Sequence, residues 1–172
     1  MKEIKDILKT YDAIDKGTIN LALATVIDVK GSSYRRTGAR MLIQDDGTWT
    51  GGISGGCIEG DALKKAHLAM TSRKPVITTY DTSNKAEEQI GVSLGCNGVI
   101  QVLISHVDTN DSHNPIECLR PLTSTRKEVM VITVIDSNIS GILAGNVYTD
   151  GQNEFPYEKV SPEIANKIKQ TV

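Results

Sequence analysis

The stretch Leu21-Ala22-Leu23-Ala24-Thr25-Val26-Ile27-Asp28-Val29 constrains the fold more than any other part of the chain. It is nearly all apolar and rich in β-branched residues, which suits a strand covered on both faces. The sheet it joins must therefore be flanked by other layers. Ahead of it, Ile4, Ile7, Leu8, Tyr11 and Ile14 recur at helical spacing, with Gly17 as a stop. A second strand is expected over residues 39–44, with Ala39, Met41 and Ile43 on one face and Arg40, Leu42 and Gln44 on the other. Asp45-Asp46-Gly47 is hairpin-turn chemistry, and Thr48-Trp49-Thr50 continues the ribbon.

After Thr50 the period changes. Ile58, Ala62, Ala66 and Ala69 fall on one stripe, which predicts a helix over residues 57–72. Further strands are expected over 75–80, 99–105, 128–135 and 139–150, and a helix over 115–124. Ser161-Pro162-Glu163, an N-cap followed by proline at the first helical position, opens a last helix. The expected fold is α/β of the mixed α+β kind: a mixed sheet with hairpins, flanked by helices, in a single domain. Residues 1–150 are assigned to one domain and 151–172 to a C-terminal extension or the start of a linker.

Composition narrows the function classes. A chain of 172 residues can bury one sizeable core. Aromatics make up only 4%, so that core falls to Val, Ile, Leu and Ala. A net charge of −2 gives no electrostatic case for nucleic acid or an anionic membrane. No apolar run reaches bilayer length, and the charged residues 1–6 do not read as a secretory signal. Cys57, Cys96 and Cys118 are widely spaced with no Cys-x-x-Cys pair, against a disulfide framework and for a reducing compartment; the cytoplasm is the expected location.

Three glycine-rich loops carry the candidate chemistry. In the first, Gly31-Ser32-Ser33-Tyr34-Arg35-Arg36-Thr37-Gly38-Ala39-Arg40, the hydroxyls of Ser32, Ser33 and Thr37 accompany three guanidinium groups that match phosphate oxygens. In an extended segment Arg36 and Arg40 share a face and Arg35 takes the other, so at most two reach one ligand. The bland alternative is a solvated basic rim. In the second loop, Ser54-Gly55-Gly56-Cys57-Ile58-Glu59, glycines before a helix offer backbone N–H groups to an anion. The helix dipole favours a thiolate at Cys57, a soft ligand for metal or sulfur. Glu59 suits the first helical turn and could accept hydrogen bonds from a guanidine-like heterocycle edge such as a pterin's. The alternative is a small buried cysteine with Glu59 as dipole partner only. In the third, Gly95-Cys96-Asn97-Gly98, a turn precedes a strand; Cys96 is a second candidate ligand beside Asn97, or merely a cysteine in a turn. Cys118 reads as core. His67, His106 and His113 lack metal-ligand spacing, so a structural zinc is not expected.

In these motifs the sequence resembles the N-terminal domain of the xanthine dehydrogenase accessory family (XdhC/CoxI type). The match runs through Ala24-Thr25-Val26, Gly31-Ser32-Ser33, Arg35-Arg36-x-Gly38-Ala39-Arg40-Met41, Asp46-Gly47, residues 51–59 and Gly95-Cys96-Asn97-Gly98. Tyr34 departs from it, standing where many relatives carry proline. The resemblance implies a maturation factor that binds molybdenum cofactor (molybdopterin) as cargo, helps it receive its terminal sulfur, and inserts it into xanthine dehydrogenase-type enzymes. The expected partners are a molybdenum hydroxylase of that type and a cysteine desulfurase, with a two-fold homodimer as the default assembly. On that reading Ser32, Ser33, Arg35, Arg36, Arg40, Ser54, Gly55, Gly56, Cys57, Glu59, Cys96 and Asn97 line the cofactor site. Cys57 and Cys96 face the metal, and no residue is catalytic. Relatives commonly continue into a C-terminal nucleotide-binding-like domain, which is not expected within these residues. Two alternatives stay open: a cysteine-dependent sulfur-transfer enzyme with Cys57 as nucleophile, and an anion- or protein-binding module without a metal cofactor.

Overall fold

The computed structural model describes residues 2–82, 98–125 and 127–170. Helix α1 (Lys2–Ala13) leads into β1 (Leu21–Gly31), β2 (Arg40–Gln44) and β3 (Trp49–Gly51). Helix α2 (Glu59–Ser72) is followed by β4 (Val76–Asp81) and β5 (Gly98–Val107). These five strands form one sheet in the order β3-β2-β1-β5-β4. The α/β class is as expected, but every described pairing is antiparallel, where mixed strand directions were anticipated. The connectivity explains this. Residues 21–51 meander through short turns, and α2 carries the chain from one sheet edge to the other before β4 and β5 return beside β1.

Each face of the sheet has its own helix. Ala22, Ala24 and Val26 of β1 and Met41 and Ile43 of β2 pack against Ala62, Ala66 and Ala69 of α2. Alanine on both sides lets helix and sheet approach closely at native packing density. Leu21, Leu23 and Leu42 point the opposite way, onto Ile7, Leu8 and Tyr11 of α1. The alternation read for residues 39–44 is thus the observed one for Met41, Leu42 and Ile43, with both faces buried. Burying each large aliphatic side chain contributes roughly 1.5–3 kcal/mol.

The C-terminal part departs further from the sequence pattern. Over residues 115–124 a single helix was expected; instead a 3-10 turn (Glu117–Leu119) precedes a one-turn helix α3 (Pro121–Ser124). Pro121 has no N–H to continue the ladder and fits only at a helix start. Strand β6 (Val131–Thr133) pairs with β7 (Val147–Thr149) as a separate ribbon, both shorter than the pattern suggested. Gly141 and Gly145, at φ 79° and 88°, fold the intervening segment into turns. Val134, Ile142 and Tyr148 form a small third core that also takes in Phe155 and Val160. Buried Cys118 fixes the ribbon to the body: its thiol donates to the Val147 carbonyl at 3.2 Å, and Thr149 Oγ1 donates to the Cys118 carbonyl at 2.6 Å. Burial pushes that thiol's pKa up, so it remains a donor. Helix α4 (Pro162–Lys169) starts at Ser161, whose Oγ accepts the Ile164 N–H at 3.4 Å. No helix among the described residues is long and apolar enough to cross a membrane.

Candidate functional site

The antiparallel register gathers the glycine-rich loops. Gly31 pairs with Gly98, Met41 with Gly51 and Asp81 with Val99, so β1, β3 and β4 end, and β2 and β5 begin, at one end of the sheet. Residues 32–39 and 52–58 leave from that end. Thr82 and Gly98 also lie at that end, joined through Thr82 Oγ1 to the Gly98 carbonyl at 2.7 Å. A Cβ at Gly98 would lie 2.6 Å from both the Lys30 and Ser32 carbonyl oxygens, which explains glycine there. Cys96 and Asn97 lie outside the described residues; Gly98, next in sequence, abuts Ser32.

The three arginines of the first loop have three different situations. Arg40 is buried, and its Nη1 donates to the Gly38 carbonyl at 2.9 Å. Burial pulls its pKa down and the charge of Glu3 partly offsets this. Arg35 pairs with Glu3 at 2.9 Å, and its Nη2 lies 3.4 Å from where a Cβ on Gly52 would sit. Arg36 is exposed and has no ion-pair partner among the described residues. Of the two arginines that the strand geometry allowed to share a ligand, Arg40 is turned inward and only Arg36 faces solvent. Ser32 is exposed, whereas Ser33 Oγ and Arg35 Nε are shut from water without a hydrogen-bond partner among the described residues.

The second loop is closed on itself. Ser54 N–H donates to Glu59 Oε1 at 2.8 Å, and the Ser54 hydroxyl donates to Glu59 Oε2. The same Ser54 Oγ accepts the N–H groups of Gly56 at 3.1 Å, Cys57 at 3.2 Å and Ile58 at 3.4 Å. The Gly56 and Cys57 N–H groups, among the donors expected to meet an anion, thus meet a serine oxygen, while no side chain caps α2 itself. Likewise both Glu59 oxygens, expected to receive a heterocycle edge, are engaged by Ser54. Burial alone would push the Glu59 carboxyl up, but the bonds from Ser54 outweigh it and hold its pKa below the usual range. Gly55 and Gly56 are exposed, and Cys57 is half-buried with Sγ 3.6 Å from Ser54 Oγ. A Cys57–Ser54–Glu59 line therefore exists, but so acidic a carboxylate is a poor acceptor for a thiol proton. Among the described residues no group of three or more His, Cys, Asp or Glu could hold a metal ion.

Sequence reading missed Glu3. Its Oε1 accepts the Arg40 backbone N–H at 3.1 Å while its other oxygen faces Arg35, so α1 holds the arginine loop from outside it. No local signal could have shown this, because the contact spans 37 residues. Tyr34, noted only as a departure, lies against Gly55 of the facing loop.

Fold and site together define an α/β module whose glycine-rich loops gather at one end of an antiparallel sheet. Residues 17–81 match the XdhC and CoxI family. It is 27% identical over 154 residues to a probable xanthine dehydrogenase subunit of Bacillus subtilis (strain 168), covering 90% of this chain and 46% of that protein. It is 29% identical over 82 residues to the molybdenum cofactor insertion chaperone PaoD of Escherichia coli (strain K12), covering 48% and 25% of the two chains. A solved structure of a xanthine dehydrogenase from Bacillus halodurans superposes with a TM-score of 0.66 at 31% identity, covering 92% of this chain and 47% of that one. The chain thus spans about half the length of the Bacillus relatives.

Proposed function

We propose that this chain is a maturation factor for molybdenum hydroxylases of the xanthine dehydrogenase type, which holds molybdenum cofactor as cargo at the loop end of the sheet. The observation that carries the reading is the meeting of the two described loops. It sets an exposed arginine, Arg36, and a half-buried cysteine, Cys57, on one sheet end among exposed glycine backbone. A guanidinium suits the cofactor's phosphate and a thiol suits its metal or terminal sulfur. The XdhC and CoxI family match and the likeness to a chaperone named for molybdenum cofactor insertion support the same role. Arg40, Ser54 and Glu59 act in it as framework, since their polar groups are already engaged within the protein. Cys96 and Asn97, outside the described residues, are proposed as cofactor contacts on the motif resemblance alone. A cysteine desulfurase supplies the sulfur, and the apo-hydroxylase receives the loaded cofactor.

The test is anaerobic titration of the pure chain with molybdenum cofactor, reading retention after gel filtration for wild type and Cys57→Ala. Retention by wild type that drops with Cys57→Ala is the expected result. Absence of retention by wild type would overturn the cargo reading and favour a binding module without a metal cofactor.

A further inference from the structure

We propose that Tyr34 is the stacking platform for the flat heterocyclic ring of the cargo, with Arg36, two residues along the chain, taking its phosphate. The inference rests on the cargo reading above and adds which part of the ligand is recognised, and by what. Tyr34 is 75% exposed, more than any other large apolar side chain among the described residues. The side chain is nonetheless seated. A Cβ built on Gly55 would lie 3.4 Å from Tyr34 Cγ and 3.6 Å from Cδ1, so the root of the ring rests on the facing loop. The Arg35 guanidinium sits 6.0 Å from the ring centroid, and Glu3 in turn holds Arg35.

An aromatic side chain fixed at its base and open to solvent loses little freedom when a flat ligand stacks on it. Arg36, exposed and two residues away, adds a guanidinium suited to phosphate. A ring face and a cation within three residues fit a flat nitrogen heterocycle that bears a phosphate. Stacking of this kind also serves single-stranded nucleic acid. The net charge of −2 and the one exposed arginine of this loop favour a small ligand over a polyanion.

The test is titration of a fluorescent pterin monophosphate with wild type, Tyr34→Phe and Tyr34→Ala, with inorganic phosphate as a second probe. Wild type should quench the pterin emission, Tyr34→Phe should bind nearly as well, and Tyr34→Ala should bind about 5- to 100-fold more weakly. Inorganic phosphate should bind all three alike. Equal pterin affinity for Tyr34→Ala and wild type would overturn the stacking role. Molybdenum cofactor retention, measured in parallel, separates the two readings. Retention by wild type and Tyr34→Ala alike overturns the platform and leaves the cargo reading standing. No retention by wild type overturns both.

Discussion

The two described loops at the sheet end touch each other, yet they are held in opposite ways. Residues 52–58 are organised from inside, around a buried serine and a buried carboxylate that satisfy one another and three backbone N–H groups. Residues 32–39 are organised from outside, by Glu3 of α1 and by backbone bonds between Val26 and residues 38 and 39. The first arrangement leaves no described polar atom free at its centre. The second leaves Tyr34 and Arg36 in water, and Ser33 Oγ and Arg35 Nε without partners among the described residues. A loop whose polar groups are spent on itself makes a support, and a loop propped by its neighbours can spend its side chains on a ligand. On the proposed cargo reading the glycine loop serves mainly as framework, with Cys57 as the ligand it contributes, and the arginine loop serves as the reading surface.

This contrast can be broken most decisively at Ser54. Ser54→Ala takes the hydroxyl from Glu59 Oε2 and from three N–H groups, leaves the backbone N–H on Oε1 in place, and should lower the unfolding free energy by about 2 kcal/mol in urea denaturation. It should also change the acid limb of stability. Glu59 has a native pKa held below its ordinary value of 4.5, so its contribution is fully present above that pH and is lost as pH falls through the lower native value. Removing the serine should flatten this acid limb. A variant as stable as wild type, with an unchanged acid limb, would show that the glycine loop is not held from within.

Glu3→Ala comes next in size. It unpairs the Arg40 N–H and frees Arg35, at a cost of about 1–2 kcal/mol, and it should loosen the arginine loop without disturbing the Ser54–Glu59 pair. Faster amide hydrogen exchange confined to residues 32–40 is the expected signature. Exchange that spreads equally into residues 52–58 would mean that the loops share one support.

The smallest effect on stability should come from Arg36→Ala, within about 0.5 kcal/mol of wild type by denaturant titration. Its cofactor retention should nevertheless fall clearly. A stable variant with full retention would move the anion contact elsewhere in the site.

Local pattern accounts for much of this molecule. The apolar run at 21–29 called for a sheet covered on both faces, the alanine stripe called for α2, and the motifs at 31–41 and 51–59 marked the loops that meet. Where the pattern misled, the cause was short-range chemistry overriding periodicity. Pro121 split the helix expected over 115–124, and glycines at positive φ broke the strand expected over 139–150. The roles of individual site residues were less legible. Three arginines within six residues look alike in sequence, yet one is buried, one is paired and one is exposed with no ion-pair partner among the described residues.

Burial and hydrogen-bond partnership arise between elements rather than along them. Residue order alone established which positions are apolar, where the backbone can turn, and therefore the layered class and the position of the loops. Three-dimensional packing was needed to settle that Ser54 gathers the N–H groups of residues 56–58 ahead of α2, that Glu59 is spent on holding Ser54, and that a glutamate 37 residues away from Arg40 props the arginine loop. Periodicity is a property of neighbours in the chain, whereas the free or engaged state of a polar group depends on what packing brings to it.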